Sequence, residues 1–490
     1  MLSELVSQAN ALVWSPLLVY LFLGVGFYFS LRTRFLQVRH FREMVRLTFS
    51  GRSSERGVSS FQALALSLSG RVGTGNIAGV ATAITFGGPG AVFWMWTVAF
   101  LGAGTAFVES TLAQIYKESI DGELRGGPAY FIEKGIGARW YARSFAVATI
   151  IATGVLLPGV QSNSIAASME RAFSMPKVAT AFVLAALLAI IVFGGVKRIA
   201  RFAQVVVPFM AVGYVIVAGV IVLANIDRLP AMLTLIVSSA FGADATFGAV
   251  LGLAVHWGVK RGVFSNEAGQ GTGCQPAAAA EVAHPAQQGL VQSFSVYVDT
   301  LVVCSATAFM LLMTGAYNVR GPAGDWIVAG LPGVEEGPLY TQAAVDSFAP
   351  GFGAAFVAVA LFFFAFTTLV AYYYIAETNV AYLDRRASRP WLIVGLRLAL
   401  IAAVVYSAVR TASVAWGLGD LGVGIMAWLN IVAILILQRP AMAALRDYES
   451  QRAARTSIHF EPAKLGVQRA TFWDAGEAGA SGIAPRSPRD

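Results

Sequence analysis

The chain has 490 residues, 57% of them apolar and only 13% charged, with a formal net charge of +8 and a mean hydropathy of +0.65. Ordinary soluble proteins carry roughly 25% charged residues, so this composition cannot cover a water-facing surface. It excludes a soluble enzyme, a secreted disulfide scaffold and a disordered chain, and it reads as an all-α polytopic membrane protein.

Residues 1–10 contain Glu4 but no Lys or Arg, and 11–31 is apolar and runs directly into basic residues. No small-residue cleavage pattern follows, so this reads as a retained span rather than a signal peptide. Further apolar blocks lie at 60–86, 90–116, 143–168, 178–195, 202–224, 246–280, 288–315, 351–382, 391–409 and 413–437. That makes about eleven spans, most close to the roughly 20 residues that cross hydrocarbon. Helices are expected because lipid cannot satisfy open backbone groups, and the alternation of barrel strands is missing.

Lys and Arg orient the spans. With the N-terminus outside, inner loops and tail hold 26 of them and outer segments 5, a strong positive-inside asymmetry. The C-terminus is therefore expected in the cytoplasm. Residues 441–490 lose hydrophobicity and gain Arg, Gly, Pro and Ser, which reads as a short basic surface helix and a disordered end. Cys274 and Cys304 lie in apolar segments without metal-ligand spacing, and the four histidines are scattered. Neither a bridge nor a metal-binding cofactor site is expected.

Two spans are interrupted. After the first span, the first of ten core helices reads Ser69-Gly70-Arg71-Val72-Gly73-Thr74-Gly75-Asn76-Ile77-Ala78-Gly79. The sixth reads Arg261-Gly262-Val263-Phe264-Ser265-Asn266-Glu267-Ala268-Gly269-Gln270-Gly271-Thr272-Gly273. Breaks five helices apart open two five-helix halves of opposite direction, the pattern that marks a transporter's central site. Half-helix N-termini there favour a carboxylate, and freed carbonyls favour a cation. Gly75-x-x-x-Gly79 could be a packing face alone. Packing does not account for Arg71, Asn76, Asn266 and Glu267 at membrane depth, where ionisable groups are costly. The organisation expected is an N-terminal helix and basic loop (1–58), two five-helix repeats (59–224 and 225–440) and the tail (441–490).

At these residues the sequence resembles the alanine or glycine:cation symporter family, also called sodium:alanine symporters. The segments Val72–Gly79 and Arg261–Gly269 carry the resemblance, with Gly126–Tyr130, Gln161–Ala166 and Glu281–Thr300 in support. It covers roughly residues 11–440 and implies a fold similar to the leucine transporter. It also implies an amino-acid carboxylate near Thr74, Gly75 and Asn76, and an amine near Phe264, Ser265 and Asn266. Gln161 would be a polar wall or an interhelical bond. A sodium ion would take carbonyls of Ser69 and Val72 and hydroxyls of Thr367 and Thr368, although threonines also bond back to their own helix. Many members have Gly-Trp where this chain has Ala371-Tyr372, and Met where it has Gln270, so these three would tune the side-chain pocket.

Glu109, Asp299 and Glu377 also lie in or near spans; Asp299 could cap or bond a neighbour, and structural ion pairs are expected for the three rather than proton carriage. No Lys lies within 202–224 to replace sodium with a tethered cation. The reading that follows is sodium-coupled symport of a small neutral amino acid across a bacterial inner membrane, with proton coupling as the alternative. A channel would need a continuous polar lining or repeated filters. An enzyme would need a nucleophile and base in reach, and neither break contains histidine.

Overall fold

The structure is a computed structural model that describes residues 2–50, 57–193, 195–244 and 246–474. Helices dominate it. Among the described residues seven are long and apolar enough to cross a bilayer, or eight if a bent N-terminal pair counts as one span. That pair is α1 (Leu2–Val13) and α2 (Pro16–Arg32), bent by 42° where Pro16 starts the second helix.

The first interrupted span begins with a capping box. The Ser59 hydroxyl accepts from the Gln62 amide and the Gln62 side chain accepts from the Ser59 amide, which fixes the start of α3 (Ser60–Arg71). Helical geometry stops at Val72, resumes as a wide turn over Gly75–Gly79, and continues as α4 (Val80–Gly87). Next come α5 (Gly90–Ile115), α6 (Arg139–Phe173), α7 (Lys177–Val192) and α8 (Gly195–Ala224). The short hairpin of β1 (Glu118–Ile120) and β2 (Glu123–Arg125) lies between α5 and α6.

A further short helix, α9 (Leu229–Ala240), precedes the second interrupted span. That span is α10 (Leu251–Asn266), an irregular turn, and α11 (Cys274–Ala278). Its turn uses left-handed backbone at Glu267, Gly269 and Gly271. Glycine adopts that geometry freely, whereas glutamate does so at a cost of about 1–2 kcal/mol. The rest are α12 (Pro285–Thr314), α13 (Pro338–Phe348), α14 (Gly353–Leu383), α15 (Pro390–Ala408) and α16 (Ala412–Ala453). A second hairpin, β3 (Asn318–Arg320) with β4 (Trp326–Ala329), stands between α12 and α13.

The centre is packed through small residues. A side chain on Gly258 would come within 2.5 Å of the Ala91 carbonyl, and one on Gly262 within 2.5 Å of Val98. Such close backbone approach replaces hydrophobic association, which vanishes between helices in lipid. At the rim, Phe209, Leu223 and Leu398 are exposed and present an apolar surface to lipid.

The tail differs from the sequence expectation. Helix α16 runs to Ala453 through Pro440, a residue that seldom sits inside a helix. Its Glu449 pairs with Arg39 at 2.8 Å and His40 at 2.7 Å. Beyond it, Phe472 and Trp473 are buried; the Trp473 indole donates to the Gln114 carbonyl at 3.0 Å, and the Lys117 ammonium lies 4.5 Å from the Phe472 ring. Aromatic anchoring at a buried ammonium leaves no sign in composition. Residues 475–490 lie outside the described residues.

Replacing both Phe472 and Trp473 by alanine should release this segment at a cost of about 3 kcal/mol or more. Limited trypsin digestion should then cut at Arg452, Arg455 and Lys464 much faster, while the membrane core stays intact. An unchanged digestion rate would show that the aromatic pair does not hold the tail.

Candidate functional site

The two interrupted helices meet beside their breaks, Gly75 at the start of the wide turn against the last turn of α10. A side chain on Gly75 would lie 3.1 Å from the Ser265 Cα and 3.3 Å from the Phe264 ring. Every polar group here is shut away from water, so each needs a partner inside the protein.

The first segment is held by its own asparagine. The Gly73 amide donates to Asn76 Oδ1 at 2.8 Å, closing the break. Asn76 Nδ2 then donates to Asp299 Oδ1 at 2.6 Å. Ser265 Oγ donates to the same carboxylate at 2.9–3.0 Å, and the Thr300 hydroxyl does so at 2.7 Å. Asp299 therefore ties both breaks to α12. The Thr74 amide and hydroxyl both donate to Gln161 Oε1, at 3.2 and 3.1 Å, and the Tyr372 hydroxyl faces the same glutamine.

The second segment is braced from the opposite side. Asn266 Oδ1 accepts from the Ala268 amide at 3.0 Å. Asn430 donates to Glu109 at 2.8 Å and to the Gly269 carbonyl at 2.9 Å. Gln270 is buried, with its carbonyl oxygen lacking a hydrogen-bond donor. Phe264 packs on Trp416 at 5.0 Å between ring centres.

Sequence reasoning named Ser69, Val72, Thr367 and Thr368 for a cation, and the structure treats the two threonines differently. Thr368 Oγ1 lies 2.8 Å from the Ser69 carbonyl, and a side chain on Gly73 would collide with it. Both hydroxyls also reach back to the Phe364 carbonyl, Thr367 at 2.9 Å and Thr368 at 3.0 Å, but Thr367 otherwise faces Met210 on α8. Ser69 turns its hydroxyl to the Leu66 carbonyl at 2.7 Å, and Val72 marks the end of α3. Ala371 lies on the same stretch of α14, with its Cβ 3.7 Å from where a side chain on Gly70 would begin.

Two features were not read from sequence. Asp420 on α16 takes Lys260 at 2.8 Å and Arg261 at 2.5 Å, with Arg261 stacked 4.7 Å over Trp416. Two adjacent cations in one span could have pointed to a distant acid, but not to which one. The ion pairs expected for Glu109, Asp299 and Glu377 are absent among the described residues. Glu109 and Asp299 take the neutral donors above, and Glu377 takes the Tyr373 hydroxyl at 3.2 Å. Neutral donors satisfy a buried carboxylate without desolvating a second charge.

Comparison with known proteins follows the same outline. The family model described as the sodium:alanine symporter family matches residues 1–462. A putative sodium/proton-dependent alanine carrier protein, YrbD of Bacillus subtilis, is 60% identical over 96% of this chain and 98% of its own. The sodium/proton-dependent alanine carrier protein of Bacillus sp. strain PS3 is 54% identical over 88% and 97%. A solved Na+-coupled sialic acid symporter matches in fold, with a TM-score of 0.50 at 12% identity, covering 98% of this chain and 99% of that one. The chain belongs to the sodium:alanine symporter family and is a multi-pass membrane protein of a transporter family, not of an enzyme class.

Replacing Asn76 by leucine removes both the acceptor that closes the first break and a donor to Asp299. The variant should insert and fold yet bind no alanine, as read by equilibrium binding on purified protein and uptake in vesicles. Wild-type uptake by a well-expressed Asn76→Leu protein would contradict the site.

Proposed function

We propose that this protein is a secondary transporter that carries a small neutral amino acid into the cell together with sodium. The observation that carries the reading is the backbone contact of two interrupted helices at Gly75 and Ser265, in a chain of this family. Family membership, the fold match and the alanine carriers among the relatives support it.

In this reading the ten helices after the N-terminal one form two inverted five-helix repeats, 59–224 and 225–440, around the breaks. The N-terminus lies outside the inner membrane and the C-terminus in the cytoplasm. The substrate carboxylate meets the amides around Thr74, Gly75 and Asn76, and the amine meets the end of α10 at Phe264, Ser265 and Asn266. Sodium sits between Ser69, Val72 and Thr368, with Thr367 joining only after its hydroxyl rotates. Carboxylate and cation neutralise each other in a site without water, so each raises the affinity of the other. Each net charge moved inward gains roughly 2.3 kcal/mol per 100 mV of membrane potential.

Backbone handles are common to all α-amino acids, so selection falls to Gln161, Gln270, Ala371 and Tyr372. Ala371 narrows the wall, while Tyr372 and Gln270 make it polar. Alanine, glycine and serine-sized substrates fit such a wall, and branched or aromatic ones do not. One methylene is worth only about 1–3 kcal/mol of discrimination, so serine should compete weakly.

Purified protein in vesicles should accumulate alanine saturably under an inward sodium gradient and stop when the gradient collapses. Accumulation that ignores sodium would overturn the coupling. Thr368→Val should raise half-saturating sodium far more than Thr367→Val, because only Thr368 lies on the Ser69 carbonyl. Tyr372→Trp and Gln270→Met should reorder competition among alanine, glycine and serine; an identical order in both would remove these residues from the wall.

A further inference from the structure

Helices α6 and α16 are pinned together at two points and leave a groove along their joint. At one point the Tyr141 hydroxyl donates to the Leu429 carbonyl. At the other, a side chain on Gly422 would come within 3.0 Å of the Ala152 Cβ. An open cavity of about 530 Å³ runs beside them, lined by α6 from Arg143 to Leu156 and by Gly422 and Ile425 of α16.

The sequence makes this groove. Ser144, Ala148 and Ala152 recur at every fourth position of α6, so small side chains form a shallow floor along one helix face. Gly422 adds no side chain opposite, and α6 widens over Ala152–Leu156. Val147, Ile151 and Ile425 stand exposed along the walls, which in a bilayer face hydrocarbon. From Arg143 to Leu156 the helix rises about 20 Å. One leaflet of hydrocarbon is roughly 15 Å deep, so the groove takes the length of one acyl chain.

A cation at one end separates it from an ordinary apolar seam. Arg143 lines the groove and, among the described residues, makes no ion pair or hydrogen bond. Arg139, one turn earlier, is already taken by Glu133 at 3.3 Å. Trp140, just before Arg143, is 75% exposed, and exposed indoles belong at the boundary between membrane and water. Arg143 therefore stands at the depth of lipid headgroups, with the apolar channel running inward from it. A basic pocket between spans that opens on hydrocarbon suits an anionic headgroup. We propose that this groove binds one anionic phospholipid, its phosphate on Arg143 and one acyl chain lying along α6 toward Leu156. A chain seated there braces α6, which brings Gln161 to Thr74, against α16, which brings Asn430 to Glu109.

The test weighs intact protein. Full-length protein stripped of lipid in detergent is titrated with phosphatidylglycerol or phosphatidylcholine and followed by native mass spectrometry. Wild type should hold one phosphatidylglycerol about fivefold more tightly than phosphatidylcholine, roughly what one cation contributes at an anionic lipid. Arg143→Gln should abolish that preference, and Ala148→Trp should fill the floor and lose the bound lipid of either kind. Both positions border lipid, and if Ala148→Trp does not fold, Arg143→Gln decides alone. Equal retention of the two lipids by wild type, or a preference that survives Arg143→Gln, overturns the proposal. A wild-type dimer that Ala148→Trp converts to monomer, with no lipid retained, gives the groove to a second copy of the chain and overturns it equally. The readout is lipid mass, so its failure leaves the transport reading untouched.

Discussion

The contact between two interrupted helices, made beside their breaks, governs the rest of this structure. A helix broken inside a membrane leaves amides and carbonyls that lipid cannot satisfy. Here two such breaks are set face to face, close enough that Gly75 has room for no side chain without a shift. Side chains from four other helices then hold the breaks: Gln161, Asn430 and Thr368 bond the backbone of Thr74, Gly269 and Ser69, and Asp299 takes the side chains of Asn76 and Ser265. These partners come from elements far apart in sequence, so the centre forms only when the whole bundle has assembled.

The same contact explains why the bundle is built from small residues. Glycines at 258 and 262 let α10 approach the backbone of α5, and Gly289 lets α12 sit against the Phe107 and Thr111 side chains of α5. Larger side chains would push α10 away and open the seam. On one flank of the seam Asp420 pairs with both Lys260 and Arg261 under aromatic cover, and at one end of the bundle the tail packs against Gln114 and Lys117. The interior is rich in polar groups yet shut off from water, as binding a charged amino acid and an ion out of water requires.

Much of this was legible in the sequence because membrane depth makes exceptions visible. Glycines, Asn76 and Asn266 inside apolar runs located both breaks. What the sequence could not supply was orientation around a helix. Thr367 and Thr368 are neighbours of equal chemistry, and only the packing of α14 turns one to Ser69 and the other to Met210. Asp299 was visible as an acid in a span, but its three donors sit on three elements. The ion pairs expected for it and for Glu109 gave way to neutral donors, since pairing would bury a second charge. Aromatic docking of the tail depended on Lys117, which composition counts only as one more loop cation.

If the two breaks hold substrate carboxylate and cation side by side, the two ligands must help each other bind by the same factor in both directions. The most direct measurement is therefore the alanine affinity of purified protein at zero and saturating sodium, paired with the sodium affinity at zero and saturating alanine. The account predicts two equal ratios, each well above one. Equal ratios near one, with both ligands still bound, would place alanine and sodium in separate sites and contradict it.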